Sequence, residues 1–401
     1  DTGMSLREMY RRIGEDPLPQ RIEVRMQWSD REEMLQWDKV RFRSGAGDAG
    51  LRYGDNPGNP AALYRAAQAT QPLSSAAELL QGDKHPGLTN ITDIDAATLL
   101  LRFFSEPCAA VMKHGNPSGA ARGRTVRESL EKAWLADPRA AFGGALVCNR
   151  PLDLDSAEWI AERYLEVVAA PDFADGVTRL LSRRKNLRVF RVPGLDDAAH
   201  LLEPRLDLQS MVDGGLIAQV HARPAVRQIH DFHPARATQK NGTTAEVARE
   251  PDPSELADLL FGWHVQHAVT SNSVLYCRDG VTIGISTGEQ DRVGSAEIAA
   301  LKAEIRARER ISLKEHGVPF AEVSDEQARE AIRERAARVL EGSVMVSDGF
   351  FPMPDGVAVG LSRGVTAIAQ PGGSVRDADV IAEVNRHGAA MVFTGERVFR
   401  H

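Results

Sequence analysis

The strongest constraint on the fold is a rhythm that runs through both halves of the chain. Short apolar runs at 108–112, 145–149, 167–170, 274–278, 344–348, 365–370 and 389–394 read as strands. Most run into a polar, glycine-bearing turn, and stretches with helical apolar spacing lie among them, at 94–104, 125–135, 155–169, 255–269, 296–311, 324–340 and 377–387. Strand, turn and helix in alternation is the pattern of an α/β protein, with mixed sheets flanked by helices. Gly143-Gly144 leads one strand and Gly372-Gly373 follows another, so a duplicated architecture is expected. Residues 4–44 suggest two helices or a helix and a strand, and 74–81 reads as a helix.

A length of 401 residues exceeds one ordinary core, so two or three domains are expected. The net charge of -7 argues against a general nucleic-acid binder, which needs a basic surface. It leaves room for a local basic pocket that takes a phosphorylated small molecule. With no apolar leader and no long uncharged apolar run, the expectation is a cytoplasmic protein that does not enter membranes. Cys108, Cys148 and Cys277 are widely spaced, two of them in strand-like runs, which suits buried reduced thiols. No Cys/His spacing suits zinc, and His264 with His267 lacks an evident third ligand, so no metal is expected.

The chemistry concentrates at Val111-Met112-Lys113-His114-Gly115-Asn116-Pro117-Ser118-Gly119-Ala120. The apolar run ends on an ammonium and an imidazole, then reads as a Gly/Asn/Pro/Ser/Gly turn. His titrates nearest neutrality and can move a proton, while the neighbouring Lys can stabilise an oxyanion. A solvated strand end is the alternative. Arg52-Tyr53, in a loop, offers a guanidinium fork and a flat ring to a nucleotide. Gly143 allows close approach to a ligand or to another backbone. Glu166 either reads a ligand or flanks the core. Phe350 and Phe351, in a Gly/Pro turn, suit a wall against a planar ligand.

Nine stretches in order resemble the transformylase part of the bifunctional purine-biosynthesis enzyme family, 5-aminoimidazole-4-carboxamide ribonucleotide (AICAR) formyltransferase. They are LRYGDNP (51–57), NITDIDAA (90–97), KHGNPSGAA (113–121), AFGG (141–144), SNSVLYCRDG (271–280), IGISTGEQDRV (283–293), GSVMVSDGFFP (342–352), AIAQPGGSVRDADVI (367–381) and HGAAMVFTGERVFRH (387–401). Residues 4–50 do not resemble the family's cyclohydrolase domain, so a stand-alone formyltransferase is expected. Gly58-Asn59 and Met353-Pro354 depart from the family pattern.

The resemblance implies formyl transfer from 10-formyltetrahydrofolate to the 5-amino group of AICAR. It implies two cytidine-deaminase-like α/β subdomains, 51–215 and 216–401, after an extension at 4–50. It also implies a homodimer with active sites at its interface and no metal in the chemistry. By the matched motifs, Lys113, His114 and Asn272 would be catalytic. Arg52, Tyr53, Phe350, Arg397 and Phe399 would contact the nucleotide, and Gly143, Glu166, Arg292, Pro352 and Asp355 would serve the folate side. Two alternatives stand beside this reading: a paralogue that formylates another amino-heterocycle nucleotide, and a non-catalytic relative that binds nucleotide or folate.

Overall fold

A computed structural model describes residues 16–44, 47–69, 71–238, 242 and 244–401. The chain divides into two compact units, at Asp196 and Asp197. Each is a mixed sheet flanked by helices, and the two sheets are wired alike.

Of the two helices, or helix and strand, expected over 4–44, residues 4–15 lie outside the described part, and the rest of that stretch is short strands. Arg21–Gln27 (β1), Glu32–Lys39 (β2) and Tyr64–Ala66 (β5) form an antiparallel sheet, and Phe42–Ser44 (β3) pairs with Gly47–Ala49 (β4). Residues 74–81 are a 3-10 turn, Ser74–Ala76, and a strand, Glu78–Gln81 (β6), not a helix. The helical spacing of this stretch is overridden by pairing with a neighbouring strand. Then follow Cys108–Lys113 (β7), Asn116–Arg122 (β8), Ala145–Cys148 (β9), Val167–Ala170 (β10) and Arg188–Arg191 (β11). Their order in the unit's main sheet is β8-β7-β9-β10-β11-β6. The pairs β7–β8, β7–β9 and β11–β6 are antiparallel, whereas β9, β10 and β11 are parallel. Cys108 to Met112 are fully buried, as a strand covered on both faces requires.

The second unit repeats this plan. Arg205–Ser210 (β12) and Leu216–His221 (β13) form a separate hairpin. His233–Pro234 (β14) precedes a small pair, Arg236–Thr238 (β15) and Thr244–Glu246 (β16). Val274–Arg278 (β17), Val281–Ile285 (β18), Val344–Ser347 (β19), Ala367–Gln370 (β20) and Ala390–Phe393 (β21) complete the main sheet. Its order is β18-β17-β19-β20-β21-β14, with antiparallel pairs at the hairpin end and the far edge and parallel pairs between. The repeat is residue-exact at the hairpin. His114 and Gly115 turn the first one with φ of 55° and 73°, and Asp279 and Gly280 turn the second with 55° and 68°. Positive φ at both central residues is the mark of the type I′ turn, whose twist matches paired strands. The Asn-Pro-Ser-Gly stretch after His114 is therefore strand β8, not the expected turn. Its proline is tolerated where the register shifts between Val111 and Met112.

Glycine fixes how closely a helix packs in both units. A methyl at Gly119 would run into the Ala133 carbonyl of helix Val126–Ala136, and one at Gly284 would meet the Ala299 carbonyl of helix Arg292–His316. Backbone on both sides leaves nothing to yield. Gly119→Ala and Gly284→Ala should each destabilise their unit by about 1–3 kcal/mol. Denaturant unfolding checks this, and two wild-type midpoints would show that the contact can relax.

Candidate functional site

In the first unit a cleft of about 290 Å³ opens at the hairpin turn. Lys113 and His114 line it with Gly143 and Glu166, which joins four of the residues expected from the sequence. Thr89, Asn90, Asp93, Phe142 and Tyr164 complete much of the wall. The cleft follows from local folding. Helix Leu88–Leu101 begins at Gly87, whose N–H donates to Asn90 Oδ1 at 3.0 Å, so it starts earlier than the sequence suggests. One turn further on, Asp93 Oδ1 accepts the Gly115 N–H at 2.7 Å and ties the helix to the hairpin turn. Gly143, at φ 74°, brings its N–H to the Tyr164 carbonyl at 2.9 Å, beside a stacked Phe142–Tyr164 pair with centroids 4.7 Å apart.

His114 is exposed and sits in the left-handed region, at a cost of about 1–2 kcal/mol for a residue with a Cβ. Lys113 Nζ donates to the Phe142 carbonyl at 2.8 Å, which aims the ammonium along the cleft wall. Burial pushes the Asp93 carboxyl above the ordinary carboxylate range. The N–H groups of Gly115 and His114 oppose that shift, and the charge of Glu166 adds to it.

Arg52 and Tyr53 pack beside the same helix. The Leu88 N–H donates to the Tyr53 carbonyl at 3.0 Å, and the Arg52 guanidinium lies over the Tyr53 ring and donates to its hydroxyl at 2.8 Å. Sequence reasoning missed Arg188. This arginine starts β11, is 5% exposed, and donates through Nε to the His85 carbonyl at 3.4 Å. Burial, and next the like charge of Arg52, hold it below the usual guanidinium range, with Glu166 pulling the other way. An arginine opening a strand whose centre is apolar, Val189-Phe190, was the available signal. Two guanidiniums within electrostatic reach of each other favour an anion between or beside them.

The second unit holds its own cluster. Arg292, in the first turn of its helix, is buried. It donates to Asp348, to the Ser273 carbonyl and Ser347 Oγ at 3.2 Å each, and through Nη2 to Asn272 Oδ1 at 2.8 Å. Asp348, fully buried, also accepts from Ser271 Oγ at 2.6 Å and the Ser273 N–H at 3.1 Å. With its oxygen taken by Arg292, the Asn272 amide is left to present N–H donors. Phe399 lies under both Arg292 and Arg397, at 5.9 and 4.8 Å to its centroid. Gly349 leaves room for both side chains, since a Cβ there would crowd the Arg292 guanidinium first and then the Phe399 ring. The exposed aromatic pair expected at 350–351 is half right: Phe350 is 44% exposed, but Phe351 is fully buried, its N–H held by Gln370 Oε1 at 2.7 Å. Pro352 and Asp355 lie exposed at the start of helix Pro354–Leu361, apart from the Arg292 contacts.

Among the described residues no group of His, Cys, Asp and Glu is arranged to hold a metal ion, and no helix is long and apolar enough to cross a membrane. The three cysteines are buried, and burial pushes the Cys148 thiol up to about 12.

A mixed-sheet plan used twice, with an imidazole and an ammonium lining a cleft of the first unit, defines an α/β protein. The chain matches the family described as AICARFT/IMPCHase bienzyme over residues 22–302, and it belongs to that family. It is 38% identical over 351 residues to the bifunctional purine biosynthesis protein PurH of Acidithiobacillus ferrooxidans, which covers 88% of this chain and 58% of that protein. PurH of Xanthomonas euvesicatoria pv. vesicatoria is 36% identical over 352 residues, with the same shares of each chain. The chain thus spans a little over half the length of these relatives.

Asp348→Ala would leave the Arg292 charge buried without its partner, a loss of about 3–5 kcal/mol. Chemical denaturation should detect it. A variant as stable as wild type would show that water or a rearrangement serves Arg292 equally well.

Proposed function

We propose that the chain is a folate-dependent formyltransferase that moves a formyl group from 10-formyltetrahydrofolate to the 5-amino group of AICAR. The observation that carries this reading is Lys113-His114 at the cleft of the first unit, with a stacked aromatic pair on one wall and Arg52, Tyr53 and Arg188 near by. Family membership agrees, and the relatives' name speaks of purine biosynthesis.

The acceptor amine is conjugated to a ring carboxamide and is a weak nucleophile. Positioning it against the formyl carbon supplies much of the rate. As the C–N bond forms, His114 takes the amine proton. The formyl oxygen becomes an oxyanion, which the donors of Asn272 and the Lys113 ammonium stabilise. Collapse of the tetrahedral centre re-forms the carbonyl and breaks the bond from the formyl carbon to N10, which takes back the proton held by His114 as tetrahydrofolate leaves. In this reading Arg52 and Tyr53, helped by Arg188, take the nucleotide and its phosphate. Arg397, Phe399 and Phe350 close on the nucleotide, and Gly143, Glu166, Pro352 and Asp355 serve the folate. Arg292 serves the folate too and fixes which end of the Asn272 amide faces the ligand.

The proposal extends to the fold and the assembly. The chain carries two cytidine-deaminase-like subdomains, 51–215 and 216–401, after an extension at 4–50. The repeated strand order supports this. The working form is a homodimer with active sites at its interface. The β12–β13 hairpin supports that, because Leu206, Leu216 and Val220 share one face and are 40%, 61% and 66% exposed. An isolated two-stranded hairpin with a bare apolar face is marginal by itself.

Incubation with AICAR and 10-formyltetrahydrofolate, followed by tetrahydrofolate release, tests the function. His114→Ala should lower kcat by roughly 10²–10⁴-fold and leave nucleotide affinity near wild type. Arg52→Ala should chiefly weaken nucleotide binding measured by calorimetry. Absence of turnover with AICAR, but turnover with another amino-heterocycle nucleotide, would move the acceptor and keep the chemistry. Unchanged single-turnover formylation in His114→Ala would remove His114 as the base.

A further inference from the structure

Asp93 stands out because the chain supplies its own control. The offset between the two hairpins is constant: Asp93, His114, Gly115 and Gly119 in the first unit correspond to Asp258, Asp279, Gly280 and Gly284 in the second. In both, an aspartate on the helix before the hairpin reaches the turn. Asp258 takes the Gly280 N–H on Oδ1 at 2.7 Å and the Asp279 N–H on Oδ2 at 2.8 Å. Asp93 takes the Gly115 N–H at 2.7 Å. A carboxylate that caps a type I′ turn is thus a device of the fold. What differs is the residue being held. Asp279 belongs to a type that accepts the left-handed region readily, and its side chain is 89% exposed. His114, at the same position, is a titratable ring lining a cleft.

We propose that Asp93 is a positioning residue for His114. Its carboxylate locks the His114–Gly115 turn so that the imidazole faces the cleft, and its negative charge stabilises the imidazolium formed during the reaction. This rests on His114 acting as the base. In that step the amine lone pair forms the new C–N bond, the N–H electrons stay on nitrogen as its new lone pair, and the proton bonds to the imidazole lone pair. The charged and titratable groups around the ring come from three places: Asp93 from the helix, Lys113 from β7, and Glu166 with Tyr164 from the segment before β10. Asp93 and Glu166 favour the imidazolium, and Lys113 opposes it. Asp93 is the more buried of the two carboxylates, at 7% exposure, and so the less screened by water.

Asp93→Asn keeps the acceptor for the Gly115 N–H and removes the charge. Asp93→Ala removes both, and Asp258→Asn makes the same change where no imidazole is held. Native Asp93 carries a raised pKa, so its contribution to stability is present in acid and is lost as pH rises from the ordinary carboxylate range through the raised value. Removing the charge should therefore leave Tm at neutral pH unlowered. Asp93→Asn should cut kcat roughly tenfold or more, with KM for the nucleotide within about twofold, and should move the acid limb of the kcat profile to lower pH. The His114 imidazole, followed by NMR and identified by its loss in His114→Gln, should titrate at lower pH in Asp93→Asn than in wild type. This readout needs no turnover, so it separates this proposal from the choice of acceptor. Asp258→Asn should change Tm and leave kcat and the His114 titration unmoved. If Asp93→Asn leaves the His114 titration in place, or if Asp258→Asn lowers kcat as much, Asp93 is only a turn cap and the proposal fails.

Discussion

A charge-assisted hydrogen bond from a turn amide to a helix carboxylate sets the geometry on which the first unit depends. It binds helix Leu88–Leu101 to the tip of the β7–β8 hairpin, and the tip is where the imidazole sits. The bond compensates two awkward choices at once: a histidine with positive φ, and a carboxylate removed from water. Each would be costly alone. Together they produce a side chain that points outward from a rigid hairpin. A hairpin tip fixes the placement of such a side chain more reproducibly than a loop would.

The second unit spends its polar groups differently. Asp348 and Arg292 form a buried pair whose remaining lone pairs and protons are taken up by Ser271, Ser273, Ser347 and Asn272. A buried pair this fully satisfied contributes more to defining one arrangement than to net stability. Its visible product is the orientation of one amide. The pair is therefore better understood as a fixture for Asn272 than as a stabilising contact.

Much of this was legible in the sequence where burial leaves a continuous apolar run. The segments that became β7, β9, β10, β17 and β19 read directly, because a strand covered on both faces has no other composition available. The misreadings share a cause. Residues 74–81 have helical spacing but are claimed by pairing with β11, a partner more than a hundred positions away. The Asn-Pro-Ser-Gly stretch has the residues of a turn, yet Gly119 is there to admit a helix backbone and Pro117 sits at a register shift. Lys113, His114 and Arg52 drew notice in the sequence because an ammonium, an imidazole and a guanidinium stand beside turn residues, and Asn272 through the resemblance alone. The buried charges Asp93, Arg188 and Asp348 were not singled out. Nothing local distinguishes a buried charge from a solvated one until its neighbours are known.

The duplicated wiring bears on how such a chain is made. Every strand of the first main sheet precedes every strand of the second, so one set can close while the other is still being synthesised. The hazard in any such repeat is mispairing, since both hairpins close on the same kind of turn. Divergence between the halves works against that exchange. Lys-His at one tip and Arg-Asp at the other, with different helices to dock against, let each hairpin recognise its own cradle.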